Sequence, residues 1–460
     1  MKLILFELNE VPKIVLDDYI EKKPNSSLAY LLKQSNFYET FAEDMGELSP
    51  WVTWPTLHRG VTNNKHGISF LGQDLSHIDK EFPPIWNILN KNTISTAIFG
   101  SLGSSYENLL NSKFYLPDTF SYNSFASHDF LKAFQDFNLS MVNKSFRNID
   151  RGVDLKNFMK LIRHINKLGI SPFTIKEISK IILGEFYLER LKVRRRSLQP
   201  LIAFDIFYNT LKKYNPSFST FFTNNVASSM HRFWAATYPH HYKSTSYDKD
   251  WIDDFKNEIT YSMDIIDYMI NKLIRLCKKT NYRLLIASSM GQEAVEHKMV
   301  HNEILLKDPI KFFSILGLQN NFRIQFPAMC PEYTFEFHDV RAISNFFNNC
   351  YILDNDKKNK VEFEILNDRV NFKFHFPDND IDQLKFITEN KKIALHEMGF
   401  IQVESDFNQS LTAYHVPEGL LIDYIPNHRK QFTNEKISTS SISPLILKNF
   451  DINVPKYMKF

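Results

Sequence analysis

The chain has little that would tie it to a membrane interior, an oxidising compartment or a polyanion. No run reaches the ~18 apolar residues needed to cross a bilayer. The apolar start, Met1 to Leu8, is too short for the core of a secretion signal with a cleavage site. Its three cysteines, Cys277, Cys330 and Cys350, have neither CxxC nor metal-ligand spacing. Their odd number argues against a disulfide framework and fits a reducing compartment. With 55 Lys and Arg against 52 Asp and Glu, the formal charge is only +3, so no nucleic-acid partner is expected. Internal repeats are absent. These exclusions predict a cytoplasmic protein, with peripheral docking on a membrane surface left open.

What is present is ample material for a core. Of the 460 residues 43% are hydrophobic and 14% aromatic, which excludes global disorder and predicts a large α/β domain with insertions, or two domains. Short apolar runs at Lys2 to Leu8, Thr96 to Gly100, Phe218 to Phe222 and Arg283 to Ala287 read as buried parallel strands. Each ends in small or polar residues, and ligands of open α/β sheets bind beyond such carboxyl ends. The periodicity from about Ile252 to Cys277 predicts a helix packed on the sheet. Residues 126–199 are basic, aromatic-rich and helical in texture, ending in Arg194-Arg195-Arg196; they read as an inserted cap whose arginines face solvent, phosphate or acidic lipid. Residues 333–408 read as a small β-rich appendage within the C-terminal part of the core, with a hairpin turning at Asn367-Asp368.

Three segments then resemble the alkaline phosphatase superfamily, in particular its phosphodiesterase and nucleotide-pyrophosphatase branch. Gly60-Val-Thr-Asn-Asn-Lys-His66-Gly-Ile is similar to the family's turn after the nucleophile helix. Phe221 to Trp234 is similar to its strand followed by D-x-x-x-H-x-x-W, with His231 and Trp234 matching. His415-Val-Pro-Glu-Gly-Leu and the run Ser443 to Pro455 are similar to its closing segments. The resemblance covers residues 1–125 and 200–460 and implies an alkaline-phosphatase-like three-layer sandwich with a mostly parallel central sheet. It also implies a two-metal site built on carboxylates, and here the sequence departs. Asn9, Ala227 and Ser289 stand where aspartates belong, and Met290 where a histidine does; Glu7 is the alternative to Asn9 if the strand slips by two. Two cations side by side without carboxylates repel each other with nothing to offset them.

The expectation is therefore a metal-poor enzyme that requires no cofactor. His231 and His415 act as acid and base on a phosphate-linked or nucleotide-sugar substrate, and Arg59 and Arg232 replace metal charge as phosphate contacts. Thr53 and Ser49 are the alternative nucleophiles, His58 the neighbouring base, and Glu7 or Glu293 the carboxylate partner of a histidine. Asn9, Gln292, Glu293 and Ser289 are expected to contact substrate. By analogy this is a transferase of bacterial surface-polysaccharide assembly, with a saccharide acceptor. Two alternatives stay open: a metal-dependent phosphodiesterase in which zinc or another divalent cation uses His231 and His415 with rearranged ligands, and a non-catalytic binding protein. His66 reads as structural, and His297 with His301, four apart, as a weak metal signal.

Overall fold

The computed structural model describes all residues except 108, 122–124, 143–153, 244–246, 297–299, 330, 356, 377, 405–410, 429–434 and 459–460. Cys330 and His297 thus lie outside the described residues, as do parts of the insertion and of the appendage. Cys277 and Cys350 are buried and free.

The four predicted strands form the middle of one sheet. β1 (Leu3–Leu8), β3 (Thr96–Phe99), β5 (Phe218–Thr223) and β6 (Arg283–Ser288) join β2 (Asn36–Phe41), β4 (Ser112–Leu116) and the strands Glu418–Tyr424 and Lys436–Ser438 in an eight-stranded sheet. Its central order is β6-β1-β5-β3, all parallel, and Glu418–Tyr424 alone runs against its neighbours. β1 shows why this is a sandwich. Ile4, Phe6 and Leu8 enter one apolar cluster, with the helices Arg195–Tyr214, Asn225–Thr237 and Glu258–Thr280; Leu3 and Leu5 enter another, with Trp54, Leu57 and Trp86. A period of two divides the strand between the two faces of the sheet, and helices cover both.

The helix predicted from Ile252 is two: Lys249–Phe255 stops at Lys256, and Glu258–Thr280 carries the predicted stripe, from Ile259 to Cys277, into the core. The hairpin turns where expected, with Asn367 in the left-handed region (φ 56) between Glu362–Leu366 and Arg369–Lys373. It belongs to a group of antiparallel sheets whose own apolar core draws on residues from Ile304 to Phe400. The insertion is helical, and two arginines of its run are paired within the protein. Arg194 grips Glu258 through three hydrogen bonds of 2.7–3.1 Å, and Arg195 grips Glu185 at 2.6 and 2.7 Å. Both pairs clamp the insertion, Arg194 to the core and Arg195 to its own preceding helix. No helix among the described residues is long and apolar enough to cross a membrane.

At the sheet's other end Arg283 of β6 holds Asp423 bidentately, 2.8 and 2.7 Å, across the antiparallel junction, with both side chains nearly buried. Removing one partner strands a charge in a place water reaches poorly. Asp423→Ala is expected to lower unfolding free energy by ~3–5 kcal/mol in urea titrations; a loss within experimental error would show that the pair is solvent-relaxed.

Candidate functional site

The parity that builds the sandwich also sorts the polar tail of β1. Glu7 follows Leu3 and Leu5 and faces the helix Pro50–Arg59. There its Oε1 lies 2.7 Å from Nε2 of His58, both side chains fully buried. Asn9 turns the same way, its Oδ1 accepting from Nε1 of Trp54 at 2.7 Å. Glu7 is therefore the partner of His58, not of His231 or His415. His58 sits with its ring between those of Trp54 and Trp86, inside the core.

The next residue reverses direction. Glu10 has φ 58, a left-handed conformation that a non-glycine residue adopts at a cost of ~1–2 kcal/mol. The turn sends its buried carboxylate to the opposite side, where Oε2 lies 3.0 Å from Nε2 of His231 and 3.3 Å from Nε2 of His415. Asn9 Nδ2 donates to Glu10 Oε1 at 2.7 Å, and Gln292 Nε2 donates to Oε2. The carboxylate absent from position 9 is thus supplied by position 10. Among the described residues Glu10, His231 and His415 are the one group of three metal-ligating side chains that converge.

Both histidines are oriented by backbone. His231, on the helix Asn225–Thr237 that follows β5, donates Nδ1–H to Ala413 O at 2.8 Å. His415, on the strand Ala413–Val416, donates Nδ1–H to Leu48 O at 2.6 Å. That strand pairs with Gly291–Ala294, placing His415 opposite Gln292, which is why both reach Glu10; Glu293, opposite Tyr414, is exposed. Burial pushes the Glu10 carboxyl up, but His415 and His231 outweigh it and hold it well below the usual carboxylate range. Burial lowers His415, and the Glu10 carboxylate more than reverses this.

A carbonyl oxygen only accepts, so each Nδ1 carries its proton, and each Nε2 of a neutral ring is a bare lone pair. Three electron-rich atoms then face one another unless the rings are charged or a cation lies between them. Two histidines and one glutamate, each histidine fixed through its other nitrogen, form a known catalytic zinc set with a fourth position open. Donor separations of 3.0 and 3.3 Å suit an ion whose bonds to nitrogen run ~2.0–2.1 Å. The residues present fit one divalent cation.

The predicted hydroxyls follow Leu48 in the chain. Leu48, which anchors His415, precedes Ser49, the N-cap of the ten-residue helix Pro50–Arg59, and the Ser49 hydroxyl does not cap that helix. Thr53 is fully buried, its Oγ1 donating to Ser49 O at 3.2 Å and lying 2.8 Å from Ser289 Oγ. Arg59 and Arg232, the predicted phosphate contacts, each have a partner within the protein. Arg59 is fully buried on Asp79 at 2.5 Å, and Arg232 Nη1 donates to Ser228 of its own helix, to O and Oγ, both at 2.8 Å. His66 braces a turn: its Nδ1 accepts from Ile68 N and its Nε2 meets Thr56 Oγ1 at 2.9 Å, while burial first and Arg59 second lower it to about 3.

No family model matches the chain, and no curated protein does. Among solved structures it resembles murine ectonucleotide pyrophosphatase/phosphodiesterase 5 (13% identity, covering 100% of this chain and 98% of that one, TM-score 0.43). It also resembles phosphonoacetate hydrolase from Sinorhizobium meliloti 1021 (11%, 97% and 95%, TM-score 0.40) and the alkaline phosphatase PafA (12%, 99% and 97%, TM-score 0.46). These solved structures are alkaline phosphatase superfamily members.

Since Glu7 and His58 face away from the metal-type cluster, Glu7→Ala is expected to destabilise the fold by ~3 kcal/mol or more while leaving metal stoichiometry intact. Loss of metal with an unchanged denaturation midpoint would reverse that assignment.

Proposed function

We propose that the chain is an enzyme acting on a phosphate-linked small molecule, with Glu10, His231 and His415 as the ligands of one divalent cation. The observation that carries this reading is the meeting of Glu10 Oε2 with two Nε2 lone pairs at 3.0 and 3.3 Å, just past the carboxyl ends of β1 and β5, where open α/β sheets bind their ligands. Each Nδ1 proton is given to a carbonyl, which leaves each Nε2 free to bind a cation; a metal-free acid–base role would use the same two atoms, and metal dependence of turnover separates the two. The phosphate class is supported by the likeness of the sequence motifs to those of phosphodiesterases and by a helix N-terminus, favourable to anions, beginning at Ser49 beside the cluster.

When bound, the cation supplies charge neutralisation for phosphate oxygens and lowers the pKa of a nearby hydroxyl or water. The chain's own residues do the rest. Asn9 and Gln292 hold the Glu10 carboxylate, and Ala413 O and Leu48 O hold the imidazole planes. Ser49 is the candidate nucleophile: its side chain is not spent on capping, whereas Thr53 is already committed on both sides. Hydrolysis and transfer to a saccharide acceptor share these elements, and product analysis with an added acceptor distinguishes them.

Purified protein is expected to hold close to one zinc or similar ion, and turnover of a nitrophenyl phosphodiester should stop with chelator and return with metal. Glu10→Gln should lose the ion. Ser49→Ala should lower kcat on the order of a thousandfold while Thr53→Val lowers it less than about tenfold. Full turnover in metal-free protein would refute the metal reading, and the reverse ranking of the two hydroxyl variants would move the nucleophile to Thr53.

A further inference from the structure

Large apolar side chains left on the surface concentrate on the insertion. The helix Pro172–Glu185 turns Thr174, Glu177 and Ile181 inward. Its outward side carries Ile175 (56% exposed), Ile182 (43%) and Leu183 (61%), and the chain leaving it adds Phe186 (82%) and Tyr187 (88%). Positions 175, 182, 183 and 186 are i, i+7, i+8 and i+11, so they form one stripe along the helix. A helix of a globular domain ordinarily spends its apolar stripe on the core; this one presents a stripe to solvent. The helix Leu155–Ile162 does the same on a smaller scale, with Leu155 (71%) and Met159 (56%) one turn apart.

As far as Leu188 the exposed charges beside these stripes are one-sided; the exposed Glu189 follows, 3.8 Å from Lys192 Nζ. From Leu155 to Leu188 the exposed charged residues are Lys156, Lys160, Arg163, Lys167, Lys176 and Lys180, all basic. The acidic residues of that stretch are less exposed: Glu177 is buried, its Oε2 3.9 Å from Nζ of the largely exposed Lys180, and Glu185 is held by Arg195. An isologous contact between two copies of the chain would set lysine against lysine. An anionic bilayer complements both features at once, since its headgroup region takes apolar side chains to shallow depth while its phosphates attract lysine.

We infer that the insertion docks the protein on an anionic lipid surface, the stripe Ile175, Ile182, Leu183 and Phe186 entering the headgroup–acyl boundary and Lys176 and Lys180 facing lipid phosphates. The anchor is joined firmly to the rest of the molecule. Arg194 grips Glu258, and Val193 packs with Phe233 and Ala236 of the helix that carries His231. Docking therefore tethers the candidate site to the lipid surface without requiring a transmembrane segment.

The test is cosedimentation of the full chain with phosphatidylglycerol–phosphatidylcholine vesicles and, separately, with phosphatidylcholine alone. Binding is expected to the anionic vesicles only and to fall as salt is raised. The triple variant Ile182→Ser, Leu183→Ser, Phe186→Ser should weaken it about tenfold or more, and Lys176→Glu with Lys180→Glu about tenfold as well. All five positions are on the surface, so the denaturation midpoint and metal content of both variants should match the parent, separating lost docking from lost folding. No binding to anionic vesicles, equal binding to both vesicle types, or binding unchanged in the triple variant each overturns the proposal. So does a dimer in light scattering that the triple variant dissociates in the absence of lipid, which would assign the stripe to a second copy.

Discussion

Three electron-rich atoms held at one point are the constraint on which the site depends. The fold spends several independent devices to bring Glu10 Oε2 together with Nε2 of His231 and His415. A non-glycine residue is kept in the left-handed region, two imidazoles are anchored to carbonyls from different parts of the chain, and an asparagine and a glutamine hold the carboxylate in place. Such an arrangement repels itself unless positive charge is present, and a charge at that point also serves an anionic substrate. The pieces come from residues 10, 48, 231, 292, 413 and 415, so the site exists only when the central sheet is assembled.

The central strand explains how one short polar tail can serve two purposes. Alternation along β1 sends Glu7 and Asn9 toward the helix Pro50–Arg59, where they meet His58 and Trp54 in a buried polar network. The left-handed turn at Glu10 breaks the alternation and delivers a carboxylate to the other layer. The histidine–glutamate contacts of Glu7 and of Glu10 lie in different environments. The Glu7–His58 pair is sealed from solvent, whereas His231 keeps 16% of its side chain exposed. A sealed pair braces structure, and a partly open one admits a ligand.

Much of this was legible in the sequence. Four apolar runs of strand length, each ending in small or polar residues, located the central parallel strands, and the hairpin at Asn367-Asp368 followed from turn chemistry. His231 and His415 stood out by their motif context and do meet. The missing carboxylate did not stand out, because strand parity and motif register both direct attention to positions 7 and 9; a backbone reversal at Glu10 is not encoded in any spacing. Glu7 and His58 looked functional for the opposite reason: their types suit catalysis, but burial on the far face of the sheet is a tertiary fact. The same holds for Arg59 and for the arginines near residue 195, whose acidic partners lie 10–64 residues away. The outward stripe from Ile175 to Phe186 was likewise hidden, because periodicity shows that a stripe exists and not which side of the helix the core takes.

The most direct test of the central claim is an anomalous-diffraction map from crystals grown at neutral pH with zinc present. One strong peak is expected in contact with Glu10, His231 and His415, with no second peak at Ser289. Two peaks would restore a two-metal centre, and an empty position with both imidazoles charged would contradict the account outright.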